Sequence, residues 1–165
     1  MLIVFAGPAC TGKSTLAAAI ASRRGWPHLS MDATRQRLMP NALHTREDRA
    51  IAYRAMLFAA ELLLAAGAGA VLDAPYGHAE DRADLARIDP GKRKLIECRV
   101  SEQIAVARIR ARGIPDATRP DLTEERVARL NREYRYTGEG LTLDTGALSV
   151  AECLARIEAY LGPEL

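Results

Sequence analysis

The chain has 165 residues, 48% hydrophobic, 27% charged and 5% aromatic, a length that favours one domain whose core needs no metal or disulfide staple. Its 23 Lys and Arg against 21 Asp and Glu leave a formal charge of +2, too even to announce nucleic acid by bulk charge. Of those cations 20 are Arg and 3 are Lys, so most arginines reflect compositional bias and each lysine is the more informative residue.

In chain order, the continuous apolar run from Leu2 to Ala6 predicts a strand buried on both faces. Residues 7–12 form a turn, and Lys13–Arg24 reads as a helix with Leu16 and Ile20 inward, stopped by Gly25. A short second strand is expected at 28–31 and a short helix at 33–38. Residues 46–66 read as a long helix in which Ile51, Ala55, Phe58 and Leu62 recur at steps of four, three and four. A third strand is expected at 70–74 and a fourth at 94–100. Amphipathic helices at 101–112 and 123–135 flank a Gly/Pro-rich loop at 113–121. Leu141–Asp144 is a fifth strand. Ser149 with Glu152 three residues later makes a capping box that opens the last helix, Val150–Leu161. Strands alternating with helices predict one α/β domain over 1–165: a three-layer, mainly parallel five-stranded sheet with helices on both faces and a small lid at about 108–122.

Cys10, Cys98 and Cys153 are odd in number, far apart and form no CxxC pair, so neither a disulfide framework nor a zinc site is expected. Free thiols imply a reducing compartment, most simply the cytoplasm. The apolar N-terminus lacks a basic n-region, and the longest apolar stretch, 55–70, is broken by Glu61 and falls short of ~20 residues. No membrane association is expected, and the chain should be a monomer or weak dimer.

The segment Gly7-Pro8-Ala9-Cys10-Thr11-Gly12-Lys13-Ser14-Thr15 fits G-x-x-x-x-G-K-[ST] at every fixed position, after a buried strand and at the start of a helix. Glycines let the backbone aim its N–H groups at an anion, and the helix N-terminus adds partial positive charge at the same point. Lys13 would reach the β- and γ-phosphates of a nucleoside triphosphate, and the Ser14 hydroxyl would hold Mg²⁺. Cys10 reads as a filler position. No Asn-Lys-x-Asp tetrapeptide reads guanine and no Leu-Ser-Gly-Gly signature marks a transport ATPase. An AAA-type motor needs a longer core and a helical lid domain. A minimal phosphotransferase remains.

Three features bear on that reading. Asp32 follows the second strand, where the carboxyl ends of parallel strands border a ligand crevice. It could take the proton of an attacking hydroxyl, or N-cap the short helix, or both. Arg35, one turn on, could hold an anionic part of the acceptor. Asp73 ends the third strand and could ligate Mg²⁺ or make a turn before Pro75. Tyr76, His78 and Arg82 follow on the same rim, and Arg35, Arg46, Arg49, Tyr76 and Arg82 together suggest an anionic or hydroxyl-rich acceptor. Arg108 and Arg112, four apart on one helix face, could close over a triphosphate; from 108 to 135 there are 8 Arg against 5 acidic residues.

Together these pieces, with Leu143-Asp144-Thr145 on the last strand, resemble the P-loop kinases of the polynucleotide 5′-kinase and zeta-toxin-like group, in order over essentially the whole chain. The resemblance implies a P-loop NTPase fold and ATP with Mg²⁺ as donor system. It implies Asp32 as general base, Arg35 on the acceptor, Arg108 and Arg112 on the lid, and Thr145 and Gly146 near the adenine. The cradle residues Gly7, Ala9, Cys10, Thr11, Gly12, Lys13, Ser14 and Thr15 would hold the phosphates. The acceptor would be a hydroxyl of a small molecule or of a nucleic-acid 5′ end. A second reading is a nucleotide-dependent regulatory module, whose partner face would be the basic helix bearing Arg126, Arg129 and Arg132.

Overall fold

A computed structural model of the chain describes residues 1–41, 45–113, 119 and 121–162. The strands are β1 (Leu2–Ala6), β2 (His28–Ser30), β3 (Ala70–Asp73), β4 (Arg93–Arg99) and β5 (Leu141–Asp144). The helices are α1 (Lys13–Arg24), α2 (Met31–Leu38), α3 (Arg46–Ala65), α4 (Ala79–Ala86), α5 (Glu102–Ala111), α6 (Glu124–Glu133) and α7 (Val150–Leu161). The sheet has the order β2-β3-β1-β4-β5, and every pairing in it is parallel. This is the P-loop NTPase arrangement expected from the sequence, with helices on both faces of the sheet.

β1 sits at the centre, and its five residues are all buried. Successive side chains of a strand point to opposite faces. Leu2, Val4 and Ala6 accordingly join Tyr53, Met56 and Leu57 of α3 on one side. Ile3 and Phe5 join Leu16 and Ile20 of α1 and Ile157 of α7 on the other. A third apolar cluster, Cys10 with Ala105, Ile109, Leu122 and Val127, packs the α5–α6 pair against the loop after β1. The box at Ser149 and Glu152 caps α7, and a second box, Thr45 with Asp48, caps α3.

Three local differences from the sequence reading have physical causes. β2 stops at Ser30 and α2 starts at Met31, because Ser30 keeps extended backbone and stands at that helix's N-cap position. α4 is absent from the sequence reading: its Ala-Glu-Asp-Arg-Ala-Asp-Leu-Ala sequence offers Leu85 as its one large apolar side chain, too little for a periodic signal. In α3 the buried face is Ala52, Tyr53, Met56, Leu57 and Ala60. The stripe that the spacing marks is the adjacent one, and Ile51, Phe58 and Leu62 are 49%, 61% and 56% exposed. Among the described residues, no helix is long and apolar enough to cross a membrane.

Candidate active site

The loop between β1 and α1 is built for an anion. Gly7 has φ +141, and a Cβ there would lie 2.4 Å from the Cys98 carbonyl oxygen, so only glycine turns the chain this close to β4. Gly12, at φ 81, begins α1 in the left-handed conformation, with no side-chain cap and no acidic residue in the first turn. Helices α3, α5, α6 and α7 each have a side-chain acceptor at this position, while α2 and α4, like α1, have none. The first N–H groups of α1 have none, which leaves them to a phosphate. Inside the loop the Thr11 hydroxyl donates to Pro8 O at 3.0 Å, and Gly7 N–H donates to Pro75 O at 3.2 Å.

β3 pairs directly with β1, placing Asp73 opposite Phe5 at the loop's edge. Asp73 is buried, with Oδ2 3.8 Å from His28 Nε2. Burial disfavours its charge, but the neighbouring His28 ring, the Lys13 ammonium and the Ser14 hydroxyl outweigh that cost and hold the carboxyl below its ordinary range. Its Oδ1 has no protein hydrogen-bond partner. A buried, charged oxygen left unpaired beside a Ser hydroxyl fits a hard cation, so Ser14 and Asp73 are the residues that would hold Mg²⁺. No cluster of three or more His, Cys, Asp or Glu forms a metal cage among the described residues. Mg²⁺ is ordinarily held by one or two carboxylates together with substrate phosphates.

Lys13, Ser14 and Asp73 line one crevice with Asp32, Arg46, Arg49, Tyr53, His78, Asp81 and Arg119. Asp32 is the second residue of α2, inside its first turn, so the capping position belongs to Ser30. Its Oδ2 accepts from Arg119 Nη1 at 2.5 Å. Arg119 also donates to Asp121 Oδ1 at 3.3 Å, and Asp121 Oδ2 accepts from Arg49 Nη2 at 2.7 Å. Burial opposes the charge of Asp121, while Arg119, Arg49 and Arg126 hold its carboxyl below the usual range. On the opposite wall Arg46 Nη1 donates to Asp81 Oδ1 at 2.9 Å.

A second cleft of about 310 Å³ opens on the other flank of the loop, lined by Gly12, Thr15, Arg108, Arg112, Thr145 and Leu148, among others. The Thr145 hydroxyl donates to Thr11 O at 2.6 Å. Arg108 donates to Cys10 O at 3.1 Å, to Thr145 Oγ1 at 3.0 Å and to Thr145 O at 2.6 Å. Its guanidinium therefore clamps the loop to the turn after β5. Asn131 of α6 adds a bond to Ala9 O at 3.0 Å.

The structure thus gathers Lys13, Ser14, Asp32 and Asp73 in one crevice and Gly12, Thr15, Arg108, Arg112 and Thr145 in the other cleft. Gly146 lies in the turn beside Thr145, its N–H donating to Asp144 Oδ1 at 3.0 Å. Of the arginines expected to face the acceptor, Arg46 and Arg49 line the crevice, joined by Arg119, whereas Arg35 is 5% exposed and does not. Tyr76 is not on the rim either: it is buried edge-on against Tyr53, at φ 50, with Tyr53 Oη accepting from its N–H at 2.7 Å. Arg82 donates to the Tyr76 carbonyl at 2.7 Å, whereas His78 is exposed on the crevice lip. Of the arginines in the basic helix, Arg126 pairs with Asp121 and Arg132 with Glu102. Residues 114–118 and 120 of the expected lid lie outside the described residues.

Residues 2–137 match the family described as "AAA domain". The chain belongs to that family. Among the described residues, α6 leads into β5 of the sheet and then α7 on its face. No curated protein matches the chain in sequence. Solved structures show the same fold across nearly the whole chain. A gluconokinase from Sinorhizobium meliloti 1021 is 22% identical, with 96% of this chain and 90% of that one covered at a TM-score of 0.71. A sugar kinase from Janibacter sp. HTCC2649 is 17% identical, with 97% and 93% covered at a TM-score of 0.76. The APS kinase of Mycobacterium tuberculosis, in complex with AMPPNP and APS, is 21% identical, with 97% and 96% covered at a TM-score of 0.72.

Proposed function

We propose that this member of the AAA domain family is a kinase that uses ATP and Mg²⁺ to phosphorylate a hydroxyl of a small molecule. The observation that carries the reading is the pair of clefts flanking one phosphate loop. The triphosphate can lie along the loop with its base in the cleft beside Thr145, Arg108 and Arg112. Its γ-phosphoryl group then faces the crevice that holds Lys13, Asp73 and Asp32. Solved kinases of the same fold, one of them with an ATP analogue bound, support the assignment.

Each residue has a derivable part. The free N–H groups at the start of α1 and the Lys13 ammonium bind phosphate oxygens and stabilise charge as it spreads over the transferring group. Ser14 and the unpaired Oδ1 of Asp73 are the protein groups for Mg²⁺, which when bound neutralises charge on the β- and γ-oxygens. Asp32 accepts the proton of the acceptor hydroxyl as that oxygen bonds to phosphorus. The bond from the γ-phosphorus to its bridging oxygen breaks, and ADP leaves with the electron pair. Arg119, which holds the Asp32 carboxylate from the loop side, keeps it aimed into the crevice.

A small acceptor suits this crevice better than a nucleic-acid 5′ end. Its cations are matched by carboxylates, Arg46 by Asp81, Arg49 by Asp121 and Arg119 by Asp32. Among the described residues, that arrangement leaves no unbalanced positive track for a phosphate backbone. The test is transfer of label from γ-labelled ATP to a panel of sugars, sugar acids, nucleosides, aminoglycosides and 5′-hydroxyl oligonucleotides. Label is expected on a small hydroxylated acceptor. With that acceptor, Asp32→Ala should keep ATP binding and lose ~10²–10⁴-fold in transfer, while Lys13→Ala damages both. A blank panel alongside tight ATP binding would return the weight to a regulatory module, and wild-type transfer by Asp32→Ala would remove the base assignment.

A further inference from the structure

The helix α3 carries two apolar stripes and the protein's own core uses one of them. Ala52, Tyr53, Met56, Leu57 and Ala60 are buried against the sheet. Ile51, Phe58 and Leu62, which hold the regular helical spacing in the sequence, are about half exposed or more. Three large side chains in one row on a helix make a contiguous patch rather than scattered surface residues, and such patches mark association sites. Phe58 is one of only two phenylalanines in the chain. Beside it, a groove between α3 and α4 is lined by Arg54, Leu57, Phe58, Glu61, Asp84 and Arg87.

We propose that this stripe is the interface of a two-fold dimer, its occupant a second copy of the same α3. The argument is charge complementarity. A two-fold interface must be complementary to itself. The charges around Phe58 are two positive and two negative, so the patch meets its own copy without net repulsion. Their order along the helix is also self-complementary. Taking ~1.5 Å per residue, Arg54 lies ~6 Å before Phe58 and Glu61 ~4.5 Å after it. Antiparallel packing centred on Phe58 brings Arg54 of one protomer level with Glu61 of the other, to within ~1.5 Å along the axis. Parallel packing instead sets Arg54 against Arg54 and Glu61 against Glu61. Within one helix the two residues are ~10 Å apart and do not pair, since only neighbours three or four apart do. Each Phe58 then has the partner's α3–α4 groove to fill.

Sedimentation equilibrium of the full chain is expected to give twice the chain mass in the micromolar range. Phe58→Asp should weaken the dimer by roughly 30-fold or more, the effect of losing a central aromatic anchor, with circular dichroism and ATP binding unchanged. The decisive arm uses the charges. Arg54→Glu and Glu61→Arg should each dissociate the dimer alone, and an equimolar mixture of the two should associate again as a heterodimer. A wild-type chain that stays monomeric to high micromolar concentration overturns the proposal. So does a dimer indifferent to Phe58→Asp, or charge variants that fail to rescue each other.

Discussion

At Asp73 two opposing effects meet on one carboxylate, and their balance can be measured. Burial raises the cost of its charge, while His28, Lys13 and Ser14 lower it by more. A carboxyl that titrates lower in the folded chain than in the unfolded one adds stability that is complete above the unfolded value, about pH 4. That stability is lost as pH falls through the folded value. Asp73→Asn therefore should show a shallower loss of stability than wild type when urea unfolding is compared at about pH 5 and at about pH 3. Asp121, also held low by its arginines, contributes in the same direction and is common to both proteins, so the difference isolates Asp73. The same variant should need more Mg²⁺ for nucleotide binding, because it keeps the neighbouring Ser14 but loses the charged unpaired oxygen. An unchanged acid slope would show that the lowered titration of Asp73 does not contribute to folding.

At the scale of elements, α5 and α6 are tied to the phosphate loop at three points. Cys10 is buried among Ala105, Ile109, Leu122 and Val127, Arg108 donates to Cys10 O, and Asn131 donates to Ala9 O. The sequence placed Arg108 and Arg112 together on one helix face, and the fold gives them different work. Arg108 is engaged by two carbonyls and a hydroxyl; Arg112 is exposed at the helix end beside the same cleft. Arg108→Ala should lower stability by ~1–3 kcal/mol, since carbonyls lose a charged donor, and should weaken ATP binding as the loop loses its clamp. Arg112→Ala should weaken ATP binding without moving the unfolding midpoint. Thermal unfolding and ATP titration of the two variants separate the roles, and equal effects on stability would refute the clamp. The same contrast shows what spacing can convey. Period and caps located α1, β5 and α7 to the residue, because each has a strong stripe or a capping signal. They could not locate α4, with its single large apolar residue, or tell which of two stripes on α3 faces the sheet.

Across the whole molecule, the loop 7–15 was legible because its residues are contiguous, whereas the crevice opposite it is assembled from distant pieces. Arg49 on α3, Asp81 on α4 and Arg119 before α6 meet Asp32 only in the folded chain; Arg49 reads from the sequence as a cation for the acceptor, but no local pattern announces Asp81 or Arg119. That assembly makes the loop's contacts with α5 and α6 a test of cooperativity. The three cysteines are free and buried, Cys98 and Cys153 in one core cluster and Cys10 in another. Cys98 is on β4, its thiol pushed up by burial to about 12, and Cys153 is on α7 against the sheet. Cys10 sits between the phosphate loop and the α5–α6 pair, and burial likewise raises its thiol, against the pull of Arg112, Lys13 and Arg108. Cys10 is covered by the four other buried residues of a satellite cluster and not by the main core, so it needs only a local opening to react. In a disulfide-exchange reagent followed by mass spectrometry, Cys10 should be modified first, and Cys98 and Cys153 together and later. ATP with Mg²⁺ binds the native loop and should protect all three. At 100 times its dissociation constant it adds ~2.7 kcal/mol to global stability, which slows the unfolding-limited pair by up to ~100-fold. Cys10 should gain at least as much, because the bound triphosphate also opposes the local opening that exposes it. If nucleotide protected Cys98 and Cys153 while Cys10 reacted as before, the α5–α6 pair would move independently of the occupied loop, and the clamp at Arg108 would have no part in closing the donor site.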